Sequence, residues 1–183
     1  QTPNASLTGM TGTIGDAVTG SPALNLSNAT FPAGCVLQAV QYTLASGDTG
    51  GQPTISSTGP TSFSTPFKKS ITITAGNTIF VTTSLCITKT GGVETYFTLR
   101  DNTLGVYLPS SGADGHFGGA VSADSQFVQM SYSILYTPTS GTVHEIEVKG
   151  GATNSNTLTM NKQHSYAAQG RMSSSLILME IQT

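Results

Sequence analysis

The chain has 183 residues, enough for one domain with a real core and an appended arm. Charged residues make up only 9% and the net charge is −2, so Ser, Thr, Gly and Asn must supply the surface polarity. No run of Lys and Arg is present to neutralise phosphates, and no stretch reaches the ~18 apolar residues of a membrane span, so neither a nucleic-acid partner nor membrane insertion is expected.

Hydroxyls and amides pack against another protein without desolvating many charges, so this composition points to an assembly component. Residues 1–30 are expected to form an extended N-terminal arm. Gly9, Gly12, Gly15, Gly20 and Pro22 interrupt it, and the apolar residues Leu7, Met10, Ile14 and Val18 recur singly, about four apart. That spacing could be a helix face, but the glycines oppose a helix. The apolar residues suit docking on a neighbour better than a solvated tail. "FPAG" (31–34) reads as a turn that opens a domain covering 31–183.

From Cys35 onward the chain reads as short strands separated by turn clusters. "CVLQAVQYTL" (35–44) is the first. "SITITA" (70–75) alternates, and "TIFVTTSLCIT" (78–88) puts Ile79, Val81, Leu85 and Ile87 on one face. "AGN" (75–77) between them is expected to be a hairpin turn. "ETYFTLRD" (94–101) pairs Phe97 with Leu99, and "LGVYL" (104–108) is a short strand before a Gly/Ser loop at 109–124. "SQFVQMSYSILYT" (125–137) sets Val128, Met130, Tyr132, Ile134 and Tyr136 against Gln129, Ser131 and Ser133. "TVHEIEVKG" (142–150) sets Ile146 and Val148 against Glu145, Glu147 and Lys149. Residues 157–161 and 164–169 are weaker strands, and "SSSLILMEI" (173–181) is the last. Eight or more strands without a helix predict an all-β antiparallel sandwich.

Cys35 and Cys86 form neither a disulfide framework nor a metal motif. They read as two buried thiols or as one disulfide between strands, and the sequence leaves both open. No nucleophile elbow, metalloprotease helix or phosphate loop is present, so no enzymatic activity, catalytic residue, cofactor or metal is expected. His144 lies on the opposite strand face from Glu145 and Glu147. His116, near Asp114, could reach a cation only with Asp101, and the acidic pattern of a calcium loop is missing. Tyr107, His116 and Phe117 flank or occupy the 109–124 loop and form a candidate recognition patch for a host glycan or a neighbouring subunit.

The opening "FPAGCVLQAVQ", the strand–glycine turn–strand "TVHEIEVKGGATNSNTLTMN" and the closing "SSSLILMEIQT" come in an order that resembles the small jelly-roll domains of bacteriophage virion proteins. The resemblance is especially to marine phage fibre and head-surface proteins, where an FPAG–VLQ opening and a final S-L-(V/M)-E-I strand recur. Their fold is similar to the trimeric jelly roll of the tumour necrosis factor and complement globular-head superfamily. The resemblance covers 31–183 and leaves the arm without a parallel. It implies a final strand in the middle of one sheet, beside the first strand, near a three-fold axis and covered on both faces. It also implies a subunit interface lined by Tyr132, Tyr136, Leu176, Leu178, Val36 and Val40. The expected function is a non-enzymatic virion structural protein on the particle surface: a homotrimeric head decoration protein held to neighbouring capsid or fibre proteins by its arm. The alternatives are a tail-fibre or spike tip that binds host surface glycan, and a secreted lectin-like or cytokine-like module.

Overall fold

The computed structural model describes residues 31–45, 53–89, 93–108, 120–121, 127–152, 157–161 and 173–183. They form eleven strands, with no helix among the described residues. The strands are β1 (Val36–Ala45), β2 (Thr54–Ser56), β3 (Thr61–Thr72), β4 (Thr78–Lys89), β5 (Val93–Asp101), β6 (Val106–Leu108), β7 (Ala120–Val121), β8 (Phe127–Tyr136), β9 (Val143–Ala152), β10 (Thr157–Met160) and β11 (Ser173–Ile181).

Two antiparallel sheets result, and they form the expected sandwich. The first runs β1–β11–β4–β8, with β10 following β11 along β4 and β2 pairing with β10. The second runs β3–β9–β5–β6, with β7 also on β5. The sheets face each other through alternate residues, the period-2 pattern of half-buried strands. Ile79, Val81, Leu85 and Ile87 meet Phe97, Leu99, Ile146 and Val148, each 3% exposed or less. Phe63 stacks on Phe97 with ring centroids 6.3 Å apart, and Tyr42 meets Phe67 edge-on at 5.2 Å. Gly150 leaves room for the Phe97 ring, because a Cβ there would lie 2.9 Å from it.

Three expectations need correction. The turn at 75–77 does not close a hairpin: β3 pairs with β9 and β4 with β11 and β8, so the turn carries the chain from one sheet to the other. Its Gly76 has φ +93°, where a side chain would be strained. The strand expected from residue 70 begins at Thr61, and its first half was hidden by Pro66, which sits in a register break between Ser62 and Phe67, and by Lys68–Lys69, which follow it in regular pairing with β9. The strand expected at 104–108 shortens to Val106–Leu108, because Asp101 caps a turn: its Oδ1 accepts from the Thr103 and Leu104 amides at 2.9 and 3.3 Å. The weak strand at 164–169 lies outside the described residues.

The last strand does lie inside its sheet, between β1 and β4. Leu178 faces both Val40 and Val81. The burial differs between its two faces, however. Ser174, Leu176, Leu178 and Glu180 are buried, while Ser175, Ile177, Met179 and Ile181 are half-exposed on the outside. Where β11 ends its contact with β4, Asn161 takes over in a positive-φ conformation (φ 53°), which Asn tolerates. Its amide donates to Cys86 O at 2.8 Å, and its Oδ1 accepts from Ser174 Oγ at 2.7 Å, which in turn accepts from the Cys86 amide at 3.0 Å.

Both cysteines are free thiols, Cys35 half-buried and Cys86 buried. The register explains why they do not bond. Cys35 lies where Gln182 bonds back to it, at the Thr78 end of β4, whereas Cys86 is eight positions further along β4. Eight residues of strand span roughly 26 Å, far beyond disulfide reach.

Glu180 is the polar exception on the core face of β11, at 3% exposure. Its Oε2 accepts from Gln38 Nε2 at 2.7 Å, and its Oε1 accepts from the Thr74 amide and Asn77 Nδ2, both at 2.7 Å. Gln38 Nε2 also donates to Thr72 O. One carboxylate thus ties β1, β11 and the inter-sheet turn together. Burial alone would push its pKa up, but the donors from Gln38, Thr74 and Asn77 together hold it below the ordinary 4.5.

Two predictions follow from β11. Deleting its last turns and tail, residues 176–183, removes both β1–β11 and β11–β4 pairing; the product should lack the β-sheet circular dichroism and cooperative melting of the full chain, and a truncated chain that still melts cooperatively would contradict the topology. Glu180 should also make the fold acid-sensitive. A carboxylate with a lowered folded pKa stabilises fully above its unfolded value, near 4.5, and loses that contribution as pH falls through its folded value. Glu180→Gln should cost about 1–3 kcal/mol at pH 7 and flatten the stability loss between about pH 5 and 3 in denaturant titrations. Parallel pH profiles for both proteins would show that Glu180 is not the group responsible.

Candidate functional site

The two outer faces of the sandwich differ in chemistry. On the second sheet, outward positions carry Lys68, Arg100, Glu145, Glu147 and Lys149. Lys68 Nζ pairs with Glu145 Oε1 at 3.0 Å, and Asn102 Nδ2 donates to Glu145 Oε1 and Glu147 Oε2 at 3.1 and 2.7 Å. The Asn102 contact, with Lys68 beside it, lowers the Glu145 pKa against a smaller opposing effect of burial. The exposed Lys68–Glu145 pair adds little stability, whereas Glu147 beside it is buried at 3% exposure and is held by Asn102.

Among the described residues the first sheet presents no charge on its outer face. Register sets Val36, Ala39, Gln41 and Thr43 of β1 beside Ser175, Ile177, Met179 and Ile181 of β11. β11 in turn sets these beside Thr78, Phe80, Thr82 and Ser84 of β4, and β4 lies beside Ser131, Ser133 and Leu135 of β8. One end of this face is apolar: Val36, Phe80, Leu135, Ile177, Met179 and Ile181. Val36 is 54% exposed and Leu135 64%. The other end is a hydroxyl and amide field, where Ser133 Oγ donates to Thr82 Oγ1 at 2.8 Å and Gln129 Nε2 to Ser84 Oγ at 3.3 Å. A contiguous apolar patch bordered by neutral polar groups has the make-up of a protein-binding surface.

The residues expected at a subunit interface fall mostly elsewhere. Leu176 and Leu178 are completely buried in the core. Val40, Tyr132 and Tyr136 are half-buried and pack inward against it. Val36 alone is on the outer face. Sequence reasoning missed Phe80, Leu135, Ile177, Met179 and Ile181; for β4 and β8 the signal was available, since these residues alternate with the correctly assigned core residues. The arm residues Leu7, Met10, Ile14 and Val18, and His116 and Phe117 of the recognition patch, lie outside the described residues. Tyr107 is half-buried on β6, with the Arg100 guanidinium 5.7 Å from its ring centre.

A buried polar group joins the two sheets. Asp101 and His144 are both fully buried, with His144 Nδ1 2.7 Å from Asp101 Oδ2. Tyr136 on β8 donates its hydroxyl to the same oxygen at 3.1 Å. Burial, followed by the Asp101 charge and hydrogen bond, raises the Tyr136 pKa far above its ordinary range. The arrangement holds β8 to β5 and β9 of the opposite sheet. His144 Nε2 faces no hydrogen-bond partner and no solvent. Asp101 therefore pairs with His144, a partnership the sequence did not indicate, and among the described residues no cluster of His, Cys, Asp and Glu could hold a metal.

No protein-family model matches the chain, and no curated protein matches it in sequence. Among solved structures, it is similar to a chain of the T13 IBDV viral particle at 14% identity and a TM-score of 0.36, over 88% of this chain and 40% of that one. It is also similar to a chain of infectious bursal disease virus Gx strain at 15% identity and a TM-score of 0.34, over 87% of this chain and 42% of that one. The chain spans about 40% of the length of the solved chains it matches.

Proposed function

We propose that this chain is a non-enzymatic structural protein of a virus particle, a homotrimer on the particle surface of the bacteriophage head-decoration type. The observation that carries the reading is the uncharged outer face of the first sheet, with its apolar end built on the last strand. The opening and closing motifs add support, as does the placement of β11 between β1 and β4, which the resemblance implied. The outer residues of β11 are the ones a second copy would cover, which completes the two-sided burial of that strand.

Closed three-fold association suits this face. Each half-exposed apolar side chain that becomes buried contributes on the order of 1 kcal/mol, while bringing two proteins together costs about 4–15 kcal/mol in lost freedom. A single contact of this size is marginal. A ring of three subunits makes three contacts for two such losses, so closure favours the trimer. Residues 1–30 would anchor the trimer to neighbouring capsid or fibre proteins. A fibre or spike tip that binds host glycan through the region around Tyr107 is the second reading, supported by the Tyr107–Arg100 platform at the edge of the second sheet.

The test is the solution mass. At micromolar concentration the chain should scatter light as a trimer. Met179→Asp places a charge in the centre of the contact and should weaken each contact by more than about 100-fold, leaving a folded monomer. Lys68→Ala, on the opposite face, should remain trimeric. A wild-type monomer at that concentration would overturn the trimer.

A further inference from the structure

Glu180 differs from the other buried polar groups in what surrounds it. Among the described residues its oxygens meet three donors and no acceptor. Gln38 Nε2 bonds to Oε2, and the Thr74 amide and Asn77 Nδ2 bond to Oε1, each at 2.7 Å. None of these donors can turn round to accept. Gln38 Nε2 also donates to Thr72 O, so a flipped amide would set its oxygen against that carbonyl. Asn77 Oδ1 is bonded by the Thr183 amide at 3.4 Å, and the Thr74 donor is backbone. The cage suits a carboxylate. It does not suit a carboxylic acid, whose O–H would point at an N–H.

The neighbouring elements leave the carboxylate to neutral donors. Gln38, Glu180, Ile79 and Tyr136 form one inward rung across β1, β11, β4 and β8. Beyond Ile79, Tyr136 joins Asp101 and His144 of the opposite sheet in a group with its own hydrogen bonds. On β1, Tyr42 packs on Phe67, and Cys35 beyond the bulge is a free thiol. On β3 the half-buried Lys69 lies between the buried Phe67 and Ile71. Among the described residues the ion pairs are Lys68–Glu145, His144–Asp101 and Lys149–Glu147, none of them with Glu180.

Glu180 holds the apolar end of the outer face. Its neighbours along β11, Met179 and Ile181, point outward there. Gln38 sits at the bulge that sets Val36 opposite Ile181. Past Ile181 the chain is tied to the start of β1, with Gly34 N bonded to Gln182 O at 2.7 Å and Gln182 N to Cys35 O at 2.9 Å. Thr183 Oγ1 donates to Gly76 O of the inter-sheet turn at 2.7 Å. Val36, Met179 and Ile181 keep their places through the carboxylate beneath them, whereas the β4–β8 and β5–β9 ladders do not pass through it.

We infer that Glu180 is an acid-operated latch on assembly. Its protonation releases the start of β1 from the end of β11 and slackens the 73–77 turn. The apolar end of the outer face then loses its shape and the subunits separate, while the rest of the sandwich stays folded. The separation of subunits rests on the trimer reading above; the local release does not. The direction follows from linkage. Against the cost of burial, the donors hold the Glu180 pKa below 4.5. Such a group contributes fully above its free value and loses that contribution as pH falls through its folded value. Release therefore comes on the acid side of pH 4.5 and reverses when the pH is restored.

The test uses the full chain. By light scattering, the mass should fall from trimer to monomer between about pH 5 and 3 and return at pH 7, with sheet circular dichroism kept throughout. A trimer that persists at about pH 3, or dichroism lost together with the mass, would overturn the inference. Glu180→Gln sets an amide N–H against the same donors, so at pH 7 it should already be a folded monomer. Residue-resolved hydrogen exchange at pH 7 reads the latch independently of mass. In Glu180→Gln the Gly34 and Gln182 amides should lose at least about tenfold in protection, while the amides around Leu99 and Val148 keep theirs. Equal protection of Gly34 and Gln182 in the two proteins would overturn the latch. Gln38→Leu serves if Glu180→Gln does not fold: with one donor fewer, its mass should fall at a pH higher by about half a unit or more, and an unchanged midpoint would overturn the latch. A wild-type monomer at pH 7 contradicts the assembly reading, and the exchange comparison then decides the latch alone.

Discussion

The pairing of β11 on both of its edges is the constraint on which the rest of this structure depends. β1 and β4 belong to one sheet only because β11 lies between them, with Leu178 aligned to Val40 on one side and Val81 on the other. The partners are distant in sequence, so the sheet closes around contacts with a large loop-closure cost and completes only when the end of the chain is in place. Glu180 reinforces the junction. A buried carboxylate is costly unless its oxygens are satisfied, and here three donors from β1 and the inter-sheet turn satisfy them. The same side chain that fixes the strand also fixes which face of it turns inward.

That choice of face divides the chemistry of the surface. With Leu176, Leu178 and Glu180 inside, Ile177, Met179 and Ile181 must lie outside, in the middle of a sheet whose other outward residues on β1, β4 and β8 include Val, Ala, Phe, Leu, Ser, Thr and Gln. Among the described residues the opposite sheet carries the outward charges Lys68, Arg100, Glu145, Glu147 and Lys149. A charge on the first face would have to be desolvated in any close contact; among the described residues none is there to desolvate. The buried Asp101–His144–Tyr136 group then holds the two sheets together from within, so that the neutral face is presented on a rigid support.

Much of this was legible from alternation. The core faces of β4, β5, β8 and β9 follow directly from residues such as Val81, Leu99, Met130 and Val148, and the all-β sandwich follows from the succession of such runs. β11 was harder because both of its faces are apolar. Read by hydrophobicity alone, Ser174 and Glu180 argue that the 174–180 set faces water, yet that set is the buried one, because Gln38, Thr74, Asn77 and Asn161 arrive from elsewhere to satisfy it. The interface expectation for Leu176 and Leu178 came from the resemblance, and alternation along β11 could not test it because both faces are apolar. His144 shares the parity of Ile146 and Val148, which marks it as inward, but its partner Asp101 lies 43 residues away and no local pattern names it. The Ala75–Asn77 turn has hairpin residues and a different use, since turn chemistry fixes the local bend and not the sheet to which the next strand belongs.

The central claim is that the outer face of the first sheet is covered by copies of the same chain. Hydroxyl-radical footprinting of the assembled protein against the same protein diluted to monomer tests it most directly. Met179 and Phe80 are half-exposed in the single chain, so both should be oxidised readily in the dilute sample and shielded in the assembly, while Tyr107 on the other sheet reacts alike in both. Equal oxidation of Met179 and Phe80 in the two samples would contradict the account.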